Sequence, residues 1–491
     1  MCVQLTLLPQ YFTTVWFKVV NGACQVVPFL SLLAMQSSSA SYGSDSALDS
    51  CLSGLAKLTV CSSGIEEMET LGGTAVQGDF KPPLAAIEMQ LAATIRAVES
   101  SEDRLLILDA ATGSGKSKWL PSALANYRKG RLLVITPSSS DVKDMWRSVK
   151  GPAGYRMGGG LSGGLQEGKV LFVTLGLVVK WAVKGLLDHG DAGSFLTPFS
   201  TVLLDEAHKV YSEGEYAWLL DVVRNRIRQS RSQLILVLAS GTIGLPLLQI
   251  ALPQFVIQFS HRPFPVIRYR VPVPLEQTPV EVALDIAVYS YESGCTVLVF
   301  FASVSLIASS LAALEDRKIK QCDIFRLHRE CSEKDKEQAK QRHDRPRIIL
   351  ATSYAEVAVT IPDVQIVVDV GDAIVAHDVD GLSAVSTCRV SESSSRQRAG
   401  RAGRTQRDAY ILVGEEFGTD VVRYSAESLD VLACVSGSAC IPFVDQGSVI
   451  RRLRYHERIG MTLQRSREAF VAYPMQCAPC VDITVVDGKC C

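Results

Sequence analysis

The chain has 491 residues, with 50 Lys and Arg against 51 Asp and Glu, a formal charge of −1. That balance excludes a uniformly basic nucleic-acid coat, although a neutral total can hide a basic groove. A hydrophobic fraction of 47% with 21% charged residues excludes a disordered chain, and at about 100–200 residues per domain the length predicts about three globular units. Fourteen cysteines are too sparse for a disulfide scaffold and no secretory pattern accompanies them, so a reducing compartment is expected.

From the N-terminus, Met1–Phe17 and Val19–Met35 are uncharged and mostly apolar, divided by Lys18, but polar residues interrupt both. Neither has the length of a clean membrane span or the basic start of a signal peptide. The segment 1–35 reads as a packed N-terminal piece in preference to an interfacial anchor giving weak membrane association. A Ser-rich linker follows, assigned to 36–80. Leu84, Ile87, Leu91, Ile95 and Val98 recur at helical spacing. Short apolar runs of buried-strand type then alternate with helix-length segments: Leu105–Leu108, Leu132–Ile135, Val170–Val173, Val202–Leu204, Leu234–Leu238, Thr296–Phe300, Ile348–Leu350, Ile366–Val368 and Tyr410–Val413. This is the pattern of parallel α/β sheets. It breaks at His261-Arg262-Pro263-Phe264-Pro265, which predicts two α/β domains, 81–262 and 263–417, and a C-terminal extension, 418–491.

The first strand runs into Ala110-Ala111-Thr112-Gly113-Ser114-Gly115-Lys116-Ser117, a phosphate-binding loop in its strand–loop–helix context. Gly113 and Gly115 let backbone N–H groups around Ser114 curl about an anion at the positive end of the next helix. Lys116 is placed to reach the β- and γ-phosphates of a nucleotide, and Ser117 to bind Mg²⁺. Val202-Leu203-Leu204 delivers Asp205-Glu206-Ala207-His208 at a strand's C-terminal end, where open α/β sheets bind ligands. Asp205 is the second candidate for Mg²⁺ and Glu206 the base for an attacking water. In Gln397-Arg398-Ala399-Gly400-Arg401-Ala402-Gly403-Arg404, arginines recur every three residues with little bulk between them. That spacing predicts guanidiniums near one face of a helix start, with Arg401 and Arg404 as arginine-finger candidates and Gln397 as a water-positioning residue.

With these motifs the chain resembles superfamily 2 helicases of the DEAH type, including the non-structural helicases of flaviviruses and potyviruses and the cellular DEAH RNA helicases. The likeness extends in order through Thr136-Pro137, Phe172–Gly176, Ser240-Gly241-Thr242, Arg262–Val266, Phe300–Ser303, Leu327-His328 and Ala351–Pro362. Between the last of these and the arginine motif, Ile374–Val390 carries Asp380-Gly381 near its middle, a hairpin signal. The resemblance implies two tandem RecA-like domains with a β-hairpin inserted in the second, and ATP or another NTP hydrolysed with Mg²⁺ in the cleft between them. It implies RNA, single-stranded or duplex, as partner, with Thr136, Thr174, Ser303 and Thr360 along its path; each hydroxyl residue has a helix cap or turn as its alternative role. It further implies that His208, Ser240 and Thr242 couple hydrolysis to strand movement.

Past about Gly418 the resemblance fades. Arg451, Arg452, Arg454, Arg458, Arg465 and Arg467 form a basic cluster that reads equally as an RNA-facing surface or a solvated helix. Cys477, Cys480, Cys490 and Cys491 could hold zinc only with awkward adjacent ligands, so thiols without a metal are the expectation. The leading expectation is an NTP-dependent RNA helicase serving viral genome replication in host cytoplasm, alongside viral replicase proteins and at membrane-associated sites. The alternatives are an RNA-stimulated ATPase acting as a translocase or ribonucleoprotein remodeller, a fragment of a cellular DEAH helicase, and a non-enzymatic membrane-tethered scaffold.

Overall fold

The computed structural model describes residues 2–5, 15–20, 23–27, 48, 51–52, 66–71, 84–110, 114, 116–137, 139–149, 151–211, 213–229, 233–243, 245–259, 264–317, 319, 322–356, 361–379, 382–403, 406–415, 417–418, 429, 431–433, 446–458 and 467. The chain divides into two compact units, Met1–Asp49 and Ser50–Cys491. In the first, β1 (Cys2–Leu5), β2 (Val15–Val20) and β3 (Ala23–Val27) pair antiparallel in sequence order. The apolar N-terminal segment therefore contains strands, and no helix among the described residues is long and apolar enough to cross a membrane.

Among the described residues the second unit holds two large sheets and a two-stranded hairpin. After β4 (Glu66–Leu71), the first lobe contributes β5 (Leu105–Ala110), β6 (Leu132–Thr136), β7 (Ala153–Arg156), β8 (Ser162–Gly164), β9 (Val170–Thr174), β10 (Thr201–Asp205), β11 (Ile235–Ser240) and β12 (Val256–Phe259). Their order across the sheet is β12-β5-β11-β10-β6-β9-β7-β8. All neighbours are parallel except the β7–β8 edge. The strands are apolar at successive residues because helices cover both faces. Leu105 and Ile107 join the core cluster that includes Val178, Val179 and Leu219. Leu106 and Leu108 join the opposite cluster with Leu91, Leu120 and Leu124.

The second lobe is built on β13 (Val266–Val271), β14 (Val297–Phe300), β15 (Asp323–Leu327), β16 (Arg347–Ala351), β17 (Ile366–Asp369) and β20 (Asp408–Val413). Its seven-stranded order is β15-β16-β14-β17-β20-β13-β4. Five of its six pairings are parallel, and in the sixth β4 closes the edge antiparallel to β13. Both sheets match the tandem RecA-like α/β arrangement. A separate hairpin, β18 (Asp372–Val379) against β19 (Leu382–Arg389), pairs over eight residues from Asp372↔Arg389 to Val379↔Leu382. Its turn at Asp380-Gly381 lies outside the described residues.

Two parts of the sequence reading need correction. Glu66–Leu71, assigned to the Ser-rich linker, is a strand of the second lobe although it precedes the first in the chain. The C-terminal extension is likewise no mere appendage: Leu429, Leu432, Ala433 and Val449 are buried in the core of the first lobe. Of its basic cluster, Arg451 and Arg454 are exposed on the helix Gln446–Arg458, whereas Arg452 is buried.

Candidate functional site

The C-terminal ends of β5, β10 and β11 converge on one edge of the first sheet, which gathers residues more than 100 apart in sequence. Lys116 begins the helix Lys116–Tyr127, so its ammonium lies beside the positive helix end where anions bind. The side chain is buried, and its Nζ lies 3.5 Å from Glu206 Oε1. Ser117 Oγ donates to Asp205 Oδ2 at 3.1 Å. Ser114 Oγ is buried with no hydrogen-bond partner. An acceptor-rich phosphate fits that orphaned donor, and the Ser117–Asp205 oxygen pair fits a hard cation such as Mg²⁺. Gly113 and Gly115 lie outside the described residues.

Glu206 occupies the left-handed region at φ 51°. A non-glycine residue there carries backbone strain, and such strain concentrates at functional positions. The strained turn sends the chain from β10 into the short helix Ala207–Tyr211, whose Lys209 N–H donates to the Glu206 carbonyl. Tyr216 Oη donates to the Asp205 carbonyl at 3.0 Å and pins the strand end. Burial works against the charge of Glu206, but Lys116, His208 and Arg401 together hold its carboxyl below the usual range. Burial, reinforced by Glu206 and only partly opposed by Lys116, pushes Asp205 up. Burial likewise disfavours the Lys116 ammonium, yet Glu206 and Asp205 hold its pKa above the ordinary lysine value.

The second lobe reaches this edge through Gln397, in the helix Glu392–Ala399. Its Nε2 donates to His208 Nε2 at 2.9 Å and to Thr242 Oγ1 at 3.0 Å. The other ring nitrogen of His208 lies 2.7 Å from Ser240 Oγ and 3.4 Å from Glu206 Oε2. Ser240 Oγ also accepts the Thr242 N–H. Burial lowers the His208 pKa to about 4, so the ring is neutral at pH 7, with Nδ1 carrying the proton when Gln397 donates to Nε2. Glu206, His208, Ser240, Thr242 and Gln397 thus form one continuous polar chain spanning both lobes.

Arg398 and Arg401 are not carried together on one helix face. The helix ends at Ala399, with the small residues Gly400, Ala402 and Gly403 carrying the chain away, so Arg398 lies in its last turn and Arg401 lies past it. Arg398 is buried inside the second lobe, where it pairs with Glu356 and, at 2.7 Å, with Asp369, and lies 5.1 Å from the Phe300 ring centre. It is a structural brace. Arg401 donates to the Glu356 carbonyl and stands close enough to Lys116 and Glu206 to act electrostatically on both. Glu356 falls within the Ala351–Pro362 segment and Asp369 ends β17, but nothing local marks either as an arginine partner, since the arginines they organise lie 29 to 45 residues away.

The RNA-path candidates separate. Thr136 is fully buried at the end of β6 and presents no surface to a strand in this conformation. Ser303 caps the helix Val304–Asp316, accepting the Leu306 N–H at 3.2 Å. Thr174 precedes the helix Leu175–His189 but makes no side-chain cap bond. Thr360 and Arg404 lie outside the described residues, as do Cys477, Cys480, Cys490 and Cys491. Among the described residues there is no cluster of three or more metal-ligating side chains.

Residues 280–406 match the family model described as Helicase conserved C-terminal domain. The chain is 28% identical over 319 residues to the ATP-dependent RNA helicase HrpB of Escherichia coli, covering 61% of this chain and 38% of that protein. It is 24% identical over 414 residues to the ATP-dependent RNA helicase HrpA of the same organism, covering 76% and 31%. It is 30% identical over 236 residues to the Arabidopsis thaliana ATP-dependent RNA helicase DEAH12, chloroplastic, covering 45% and 13%. The crystal structure of the Escherichia coli DEAH/RHA helicase HrpB superposes with a TM-score of 0.62 at 23% identity, covering 78% of this chain and 51% of that one. The chain therefore spans well under half the length of these curated relatives, and it is similar in sequence and in fold to DEAH/RHA-type superfamily 2 helicases.

Proposed function

We propose that this chain is an ATP-dependent RNA helicase of the DEAH type, working by nucleotide-driven closure of its two lobes. The observation that carries this reading is the polar chain across the cleft: Glu206 and His208 of the first lobe joined to Gln397 of the second, with Arg401 electrostatically coupled to Lys116 and Glu206. Residues Gly113 to Ser117 would hold the phosphates, and Ser117 with Asp205 would hold Mg²⁺, which neutralises charge on phosphate oxygens. The Lys116–Glu206 pair sets the order of events. While Lys116 faces Glu206, the carboxylate is a weak base; when phosphate oxygens draw the ammonium away, Glu206 regains basicity and can accept a proton from the attacking water. Arg401 and Arg404 would then stabilise charge on the transferred group.

The Gln397 NH2 bonds to both His208 and Thr242, which favours a sensor role linking the lobes beside that of water ligand. Thr174 and Thr360 stay in the proposal as RNA contacts, with Arg451 and Arg454 as a basic surface beside the first lobe. The reading as an RNA-stimulated translocase shares every hydrolysis residue; the eight-pair hairpin β18–β19 favours strand separation over it. A role in viral genome replication finds no support in the bacterial and plant relatives named above, which favour the cellular DEAH alternative.

The test is ATP turnover with and without single-stranded RNA. RNA should stimulate the unaltered protein, and Lys116→Ala or Glu206→Gln should lower turnover by about 10²–10³-fold. Full RNA-stimulated turnover in either variant would overturn the assignment.

A further inference from the structure

The strand β4 belongs to a network that ends at the arginine motif. We propose that Glu69, on this strand from outside the two lobes' own sequence, is a positioning residue that sets the arginine-bearing segment for ATP hydrolysis. This inference rests on the function proposed above.

Strand β4 pairs antiparallel with β13, opposing Glu69 to Arg268. Glu69 Oε2 lies 3.1 Å from Arg268 Nη1 and 3.1 Å from Arg396 Nη2. Arg396 is on the helix Glu392–Ala399, one residue from Gln397. Arg268 is 1% exposed and its two terminal nitrogens also bond the same helix: Nη1 to Glu392 Oε1 at 2.7 Å, and Nη2 to Glu392 Oε2 at 3.2 Å and Ser395 Oγ at 2.9 Å. Ser395 Oγ donates to Tyr410 Oη, which donates to Asp369 Oδ2, each within 2.8 Å. Asp369 Oδ1 accepts from Arg398, which also holds Glu356, and the Glu356 carbonyl holds Arg401. Ser395, Tyr410, Asp369 and Arg398 are each no more than 1% exposed.

The physical effect of this arrangement is alignment. Glu69 grips the helix twice, directly at Arg396 and through Arg268 at its first turn. Two grips on one short helix restrict both its rotation and its slide, and Gln397 and Arg401 lie at and just beyond its far end. Glu69 touches no reacting atom, and Arg268 keeps Glu392 and Ser395 when Glu69 is removed, so its loss loosens the helix without leaving a buried cation uncompensated. Nucleotide binding depends on the first lobe and should be untouched.

Strand β4 supplies its own control. Glu66 pairs with Arg270, the neighbouring arginine on β13, in place of Arg268 and Arg396. Both Glu66 and Glu69 are partly exposed and each helps hold the strand in place.

The experiment compares Glu69→Gln, Glu69→Asp and Glu66→Gln in the full chain. In Glu69→Gln, kcat for RNA-stimulated ATP hydrolysis should fall about three- to tenfold with KM for ATP unchanged, short of the ~100-fold cost of a fully misplaced catalytic group. Glu69→Asp should recover part of the loss, and Glu66→Gln should behave as the unaltered protein. Amide exchange in the segment 392–399 should rise in Glu69→Gln and not in Glu66→Gln. Equal effects from both Gln variants would show simple strand docking, and no change in exchange for Glu69→Gln would show no grip; either overturns the inference. The exchange readout needs no turnover, so an inactive unaltered protein would sink the proposed function and leave this test standing.

Discussion

Arg398→Met isolates the brace of the second lobe. Arg398 is 1% exposed and bridges two carboxylates, Glu356 and Asp369, the latter fully buried. Removing one partner of a buried ion pair costs about 3–5 kcal/mol, because the charge left behind has no compensation. Loss of the cation–π contact with Phe300 adds about 0.5–2 kcal/mol. Two donors to Asp369 survive, the Tyr410 hydroxyl and the Gly371 N–H, and they cushion the loss. The net expectation is about 4 kcal/mol, a large share of the ~5–15 kcal/mol that holds a folded domain together. At roughly 2–4 °C per kcal/mol, the second lobe's melting temperature should drop by about 8–16 °C. Scanning calorimetry tests this, with the first lobe's transition staying in place. Arg398→Lys should fall between, since one ammonium cannot bridge both carboxylates with a fork. A loss below about 1 kcal/mol in Arg398→Met would refute the reasoning, since that is the range of an exposed pair.

Three further expectations concern the cleft and its surroundings. His208 has a folded pKa of about 4, below the ~6.5 of an unfolded histidine, so its contribution to stability is present in full above about pH 6.5 and is lost as pH falls toward 4, by up to ~3 kcal/mol. His208→Gln should flatten that part of a urea-denaturation series, and an unchanged slope would assign the pH dependence elsewhere. Replacing residues 374–387 with a short turn should abolish strand displacement while RNA-stimulated ATP hydrolysis persists; unwinding by the shortened protein would remove the hairpin β18–β19 from the mechanism. Ser303→Ala should cost about 1 kcal/mol in thermal stability through loss of the helix cap, with RNA affinity little changed. A large drop in affinity at unchanged stability would restore Ser303 to the RNA path.

The central strands were legible because each sheet is covered on both faces, which forces runs such as Leu105–Leu108 to be apolar at every residue. Strand β4 was not, since Glu-Glu-Met-Glu-Thr-Leu has neither an apolar run nor alternation; it is extended because Arg268 and Arg270 on β13 receive its carboxylates. The residues of the phosphate loop and of Asp205-Glu206 were readable because their chemistry is local to one turn of chain. Tyr216, Glu356 and Asp369 were not, because each acts on a partner that only the fold brings near. The threefold spacing of the arginines misled for a related reason: it describes a helix that stops at Ala399, one residue after Arg398.

The placement of β4 bears on how the protein is made. The strand leaves the ribosome before any of the first lobe, yet the guanidinium that its Glu69 must meet is encoded 199 residues later. It must therefore wait, unpaired and acidic, while an entire sheet is synthesised and folds. Its charge suits that interval, since Glu66, Glu67 and Glu69 discourage premature pairing with another apolar strand and with nascent copies of itself.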